Sequence, residues 1–228
     1  MCEVKGEIMK VEKCDIYAGE RLLIRQGSFV IDSNRLNLLI GNNGVGKTVI
    51  LDKISNLDRN RPAEFIGFPD AKDIIYQTQG ASFIDEVTVL TTLKLFGEMA
   101  GVDLVNHLNL PEIISKNMEA RFGNLSGGER RFIIIWASLQ VPRKLYLFDE
   151  PFANLDPYHV SQLMKLFYSE LATGKTILLT THQFEELIPN RTHITHIAHQ
   201  KVDFDGTMTD FMMHHGDDLQ NVLKEIAS

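Results

Sequence analysis

Three short apolar runs punctuate the chain, and each stops abruptly at glycine or polar residues. Leu36 to Ile40 runs into Gly41, Lys144 to Phe148 into Asp149, and Thr176 to Leu179 into Thr180, Thr181 and His182. None of the runs alternates with polar residues. Continuous apolar runs of this length suit strands covered on both faces, as in a parallel sheet. Helices are predicted between them, over Lys47 to Asn56, Ser126 to Leu139 and Pro157 to Ala172. Pro157 suits a first helical position, where the missing N–H has no partner to lose. Leu219, Val222, Leu223 and Ile226 repeat at helical spacing and predict a C-terminal helix over about 208–228. Strands alternating with helices argue for an α/β fold, with functional loops at the carboxyl ends of the strands.

Composition narrows this picture without redirecting it. A chain of 228 residues with 44% hydrophobic content suits one globular domain, here taken as 1–228. A net charge of -7 disfavours a broad nucleic-acid footprint, which needs a basic face. Cys2 and Cys14 form no disulfide framework, so a reduced cytosolic setting fits. No apolar run reaches the length of a membrane span, and the N-terminal segment does not read as a secretory signal. A role at a membrane would then need docking onto another chain's spanning helices.

The first chemistry lies at the end of the first strand. Gly41, Asn42, Asn43, Gly44, Val45, Gly46, Lys47 and Thr48 match the spacing G-x-x-x-x-G-K-[ST]. Glycines let the backbone turn its N–H groups toward phosphate with no Cβ in the way. The helix that follows adds its positive N-terminal end. Lys47 is placed to reach the β- and γ-phosphates, and the Thr48 hydroxyl to coordinate Mg²⁺. The second strand ends in Asp149 and Glu150. Asp149 suits the acidic residue that holds Mg²⁺, and Glu150 would then stand near the γ-phosphate to orient or deprotonate water. Alone, such a pair is a solvated turn; the phosphate loop changes that reading. Ser126 and Glu129 have the spacing of a helix capping box, at a glycine-assisted helix start able to face an anion.

Leu125-Ser126-Gly127-Gly128-Glu129 resembles the signature LSGGQ of the ATP-binding cassette (ABC) family, with Glu129 in place of glutamine. Other segments agree in order. Asp149-Glu150-Pro151 resembles the second nucleotide motif with its catalytic glutamate, and Ala153-Asn154-Leu155-Asp156 the D-loop. His182 matches the switch histidine, Gln79 the Q-loop glutamine, and Tyr17 an aromatic that stacks on adenine. The likeness spans about residues 17–207 and identifies the nucleotide-binding subunit of an ABC transporter. It implies a P-loop NTPase core of ABC type, with a mostly parallel sheet, a reduced antiparallel β lobe and a compact α-helical lobe at about 80–138. Within that lobe, helices are expected at Thr91 to Ala100 and near Pro111 to Asn117. Residues 192–207 resemble paired C-terminal strands.

The same resemblance implies a mechanism. Two cassettes face head to tail, and Ser126, Gly127 and Gly128 complete the partner's ATP site. Glu150 polarises water, His182 helps hold water and γ-phosphate, Gln79 contacts Mg²⁺ or water, and Asp156 pairs across the dimer. The implied partners are a second copy or sister cassette and separate membrane-spanning subunits. The implied location is cytoplasmic, peripheral on the inner face of the cell membrane. Export is favoured over import by analogy with small stand-alone exporter cassettes. A soluble ABC ATPase acting on nucleic acid or ribosomes is the alternative, and a regulatory module with feeble turnover a third. His193, His196 and His199 recur every three residues, but on a strand that spacing puts successive side chains on opposite faces, so no structural metal is expected. His214 and His215 are expected at the surface, and Arg130 and Arg131 on a solvated helix face.

Overall fold

The three apolar runs become neighbouring strands of one sheet. This computed structural model describes residues 8–79, 84–106, 110–184, 186–216 and 219–227. Cys2, and residues 80–83 beside Gln79, lie outside the described residues. The larger sheet has the order β5 (Ile74–Gln77), β6 (Leu145–Phe148), β7 (Thr176–Thr180), β3 (Leu36–Ile40), β8 (Thr192–Ala198), β9 (Lys201–Thr207). Its strands pair in parallel except β8 with β9, which form an antiparallel hairpin. Tyr146 and Phe148 face one apolar cluster, whereas Leu145 and Leu147 face another. Leu38 and Leu39, and Ile177 and Leu178, divide in the same way. Both faces are therefore dry, which is why the pattern does not alternate.

The two clusters separate the layers. On one side lie α2 (Val89–Ala100), α3 (Glu112–Ser115), α4 (Gly127–Gln140) and α5 (Pro157–Leu171). On the other side lie α1 (Lys47–Ser55) and a small antiparallel sheet of β2 (Arg21–Ile31), β1 (Met9–Ala18) and β4 (Phe65–Ile66). Between α1 and β5 the antiparallel sheet gains only the two residues of β4. Helix α4 is apolar nearly all round from Phe132 to Leu139, as suits a helix packed among others. No helix among the described residues is long and apolar enough to cross a membrane. Cys14 is a buried free thiol, and burial pushes its pKa up to about 11, so it stays protonated.

Two C-terminal expectations are corrected. The single helix predicted over about 208–228 is two, α6 (Met208–His215) and α7 (Leu219–Ala227), interrupted at Gly216 with φ 48°. The last turn of α6 does not leave both histidines at the surface. His214 is exposed, but His215 is half-buried, its ring 4.4 Å from that of Phe211. Arg130 and Arg131 are likewise both half-buried, so the pair does not lie on a fully solvated helix face.

Candidate active site

The loop between β3 and α1 is shaped by what glycine permits. Gly41 has φ 147°, and a Cβ there would stand 2.4 Å from the carbonyl oxygen of Ile197. Gly46 has φ 113°, and a Cβ there would press on Leu23 at 3.1 Å. Lys47 is buried and donates from Nζ to the carbonyls of Gly41 at 2.6 Å and Asn42 at 3.3 Å. Two of its three donors thus hold the loop's own curvature. Burial lowers its pKa, while Glu150 and Asp149 draw it back up. The loop opens on a cavity of about 640 Å³. Asn43, Gly44, Gly46, Lys47, Thr48, Gln79, Asp149, Glu150 and His182 all line it. Motifs more than 130 residues apart in sequence meet there because β3, β6 and β7 are adjacent and parallel, so their carboxyl ends lie together.

Asp149 is held from two sides. Its Oδ2 accepts from the Thr48 hydroxyl at 2.8 Å, and its Oδ1 from the Thr180 hydroxyl at 2.6 Å. The hydroxyl and carboxylate at Thr48 and Asp149 form an all-oxygen donor set, which fits a hard cation such as Mg²⁺. Thr180 Oγ1 also accepts from the backbone N–H of Glu150 at 2.8 Å. Glu150 itself sits at φ 49°, a left-handed conformation uncommon for a non-glycine residue and typical of functional sites. Burial is the largest influence on its carboxyl and pushes it up; His182 and Lys47 pull it down, and Asp149 adds to the rise. His182 Nε2 lies 2.9 Å from Glu150 Oε1. The contact has ion-pair distance without hydrogen-bond alignment, so Oε1 is a buried oxygen with no hydrogen-bond donor. The other ring nitrogen, Nδ1, is bonded to the carbonyl of Ile226 in α7. A carbonyl only accepts, so Nδ1 is the donor in that bond and Nε2 is the nitrogen turned toward Glu150.

The remaining expected residues are placed differently. Ser126, Gly127 and Gly128 start α4 and do not line the cavity. Their capping box is complete: the Ser126 hydroxyl accepts from the Glu129 N–H at 3.2 Å, and Glu129 Oε2 from the Ser126 N–H at 2.8 Å. Those bonds hold the Glu129 carboxyl below its usual range, the Ser126 N–H first. Asp156 caps α5, accepting from the His159 N–H at 3.1 Å and contacting His159 Nδ1 at 2.7 Å. Its side chain stays more than half exposed. The His159 ring also packs so closely on Gly128 that a Cβ there would meet it at 2.4 Å. Tyr17 is exposed on β1 and does not line the cavity, whereas its neighbours Ala18, Arg21 and Leu23 do. Thr180, Arg21 and the Ile226 carbonyl were not found by sequence reasoning. A threonine following an apolar strand gives no distinguishing signal, and the other two depend on long-range packing.

A family model described as ABC transporter matches residues 24–153. Among curated relatives, the cytochrome c biogenesis ATP-binding export protein of Gluconobacter oxydans is 27% identical over 197 residues, covering 86% of this chain and 92% of the relative. The tungstate uptake system ATP-binding protein of Peptoclostridium acidaminophilum is 29% identical over 185 residues, covering 75% and 84%. The solved structure of an ATP-binding subunit of an ABC transporter superposes with TM-score 0.74 at 20% identity, covering 97% of this chain and 100% of that one. At that identity the likeness bears on the fold alone.

Proposed function

The chain belongs to the ABC transporter family and is an ATP hydrolase of that family, and from that premise we propose that it powers a membrane transporter as half of a head-to-tail cassette pair. The spanning subunits are separate chains, and the cassette sits on the cytoplasmic face against them. Export is the favoured direction, by analogy with small exporter cassettes. The observation that carries the paired arrangement is a division of parts: the phosphate loop, Asp149, Glu150, Gln79 and His182 share one cavity, while Ser126 to Gly128 stand outside it.

In this reading the loop N–H groups and Lys47 bind the phosphates of ATP, and Thr48 and Asp149, with Gln79, hold Mg²⁺. Bound Mg²⁺ neutralises phosphate charge. Glu150 Oε1, buried and without a donor, accepts a proton from the attacking water. His182, held through Nδ1 by the Ile226 carbonyl, directs Nε2 toward the water and γ-phosphate. Ser126, Gly127 and Gly128 close the partner's site with the positive end of α4. Asp156 pairs across the dimer, and Tyr17 stacks on adenine after a local rearrangement.

Glu150→Gln tests this assignment. Turnover is expected to fall on the order of 100-fold or more, as for loss of a general base. The variant should also accumulate as an ATP-bound dimer in light scattering. Near wild-type hydrolysis by this variant would remove Glu150 from the role.

A further inference from the structure

Behind the phosphate loop lies a second cavity of about 310 Å³, lined by Asn42 and Val45 of the loop, Val222 and Ile226 of α7, and a group of histidines and one aspartate. His196 on β8, Asp203 on β9 and His215 at the end of α6 each direct one ligand-type atom into it. These three atoms all lie within 4.8 Å of one another. We propose that His196, Asp203 and His215 form a binding site for a divalent transition-metal ion of the zinc class, which ties α6 to the β8–β9 hairpin behind the phosphate loop.

Four observations point the same way. His196 is 6% exposed, and its Nδ1 has no hydrogen-bond partner. Buried polar atoms nearly always find one. That nitrogen lies 3.7 Å from Asp203 Oδ2, too far for a hydrogen bond. Two ligands of a tetrahedral ion with bonds near 2.1 Å stand about 3.4 Å apart, so the gap is close to the edge of such a site. The outer contacts orient the ligands. Lys201 holds the other oxygen, Asp203 Oδ1, at 3.2 Å, leaving Oδ2 to face the cavity. The Phe211 ring meets both His196 and His215 edge-on, at centroid distances of 5.7 Å and 4.4 Å. Finally, two imidazoles and a carboxylate are the donors that zinc, cobalt and nickel prefer, whereas Mg²⁺ prefers the oxygens of Thr48 and Asp149. His199 also lines the cavity, where a further ligand or a water completes the coordination.

The three-residue histidine repeat is therefore split. His193 turns to Asp205 at 3.0 Å, whereas His196 joins the cluster and His199 lines the same cavity. The repeat alone makes no metal site; α6 brings His215 back to His196 and Asp203.

The test is a Co²⁺ titration of the full chain without nucleotide, read by visible d–d absorption. Wild type should develop the intense bands of a four- or five-coordinate ion, saturating at one ion per chain. His215→Ala and Asp203→Asn should each weaken this binding on the order of 100-fold, since loss of a ligand exceeds the effect of losing an outer contact. His193→Ala should leave it unchanged. Zn²⁺ should displace Co²⁺ and raise the melting temperature of wild type but not of His215→Ala. Absence of the bands, or bands that persist in both ligand variants, would overturn the proposal. His215 and Asp203 are only half-buried, so neither variant opens the core.

Discussion

Thr180 is a residue whose value appears only in three dimensions. Its hydroxyl is fully buried, donates to Asp149 and accepts from the Glu150 N–H. Thr180→Val keeps the shape and removes both bonds, leaving a buried carboxylate oxygen and a buried N–H short of partners. The expected cost is about 1–3 kcal/mol of stability, read by thermal or chemical melting. Turnover should fall more than nucleotide affinity, because Glu150 loses its anchor. Glu150 makes a prediction about pH. Its folded carboxyl is raised by burial, so the protonated form stabilises the fold. That contribution is full below the unfolded carboxylate value and is lost as pH rises through the folded one. Glu150→Gln should therefore melt higher than wild type at about pH 8, and the difference should shrink toward about pH 4. A difference that grows in acid would contradict the assignment. The site residues legible in the sequence are those with fixed local spacing, such as Gly41 to Thr48. Thr180 and Ile226 act through neighbours 31 and 44 positions away, which no local pattern encodes.

At the scale of elements, the start of α4 explains the departure at Glu129. The carboxylate is engaged by the Ser126 N–H and by Asn117 at 3.4 Å, so it is turned back onto its own helix. Glutamine caps in the same geometry. Glu129→Gln should shift stability by less than about 0.5 kcal/mol and keep turnover within a few-fold. A large loss of ATPase activity would show that the charge acts on nucleotide instead. Strands and helices with strong continuous patterns were legible to within about two residues, including β3, β7, α4 and α5. The β1–β2 hairpin was not. Its buried positions step by three from Val11 to Cys14, with Lys13 and Gln26 in left-handed conformations at φ 49° and 47°. These irregularities break the two-residue alternation on which a strand is read. The C-terminal break at Gly216 was similarly hidden, since helical spacing alone does not say which residue interrupts it.

At the scale of the whole molecule, the proposed pairing divides a hydrolytic site between two chains. Parallel strands bring Lys47, Asp149, Glu150 and His182 to one cavity, and α4 carries Ser126 to Gly128 outside it. The most direct measurement is complementation between two inactive variants, Lys47→Ala and Ser126→Arg. In a head-to-tail pair each ATP lies between one chain's loop and the other chain's signature. A mixed dimer then has one doubly damaged site and one intact site. Equal mixing should restore about a quarter of wild-type ATPase activity if the sites turn over independently. A mixture as inactive as either variant alone, with mixed dimers shown to form, would contradict the shared site.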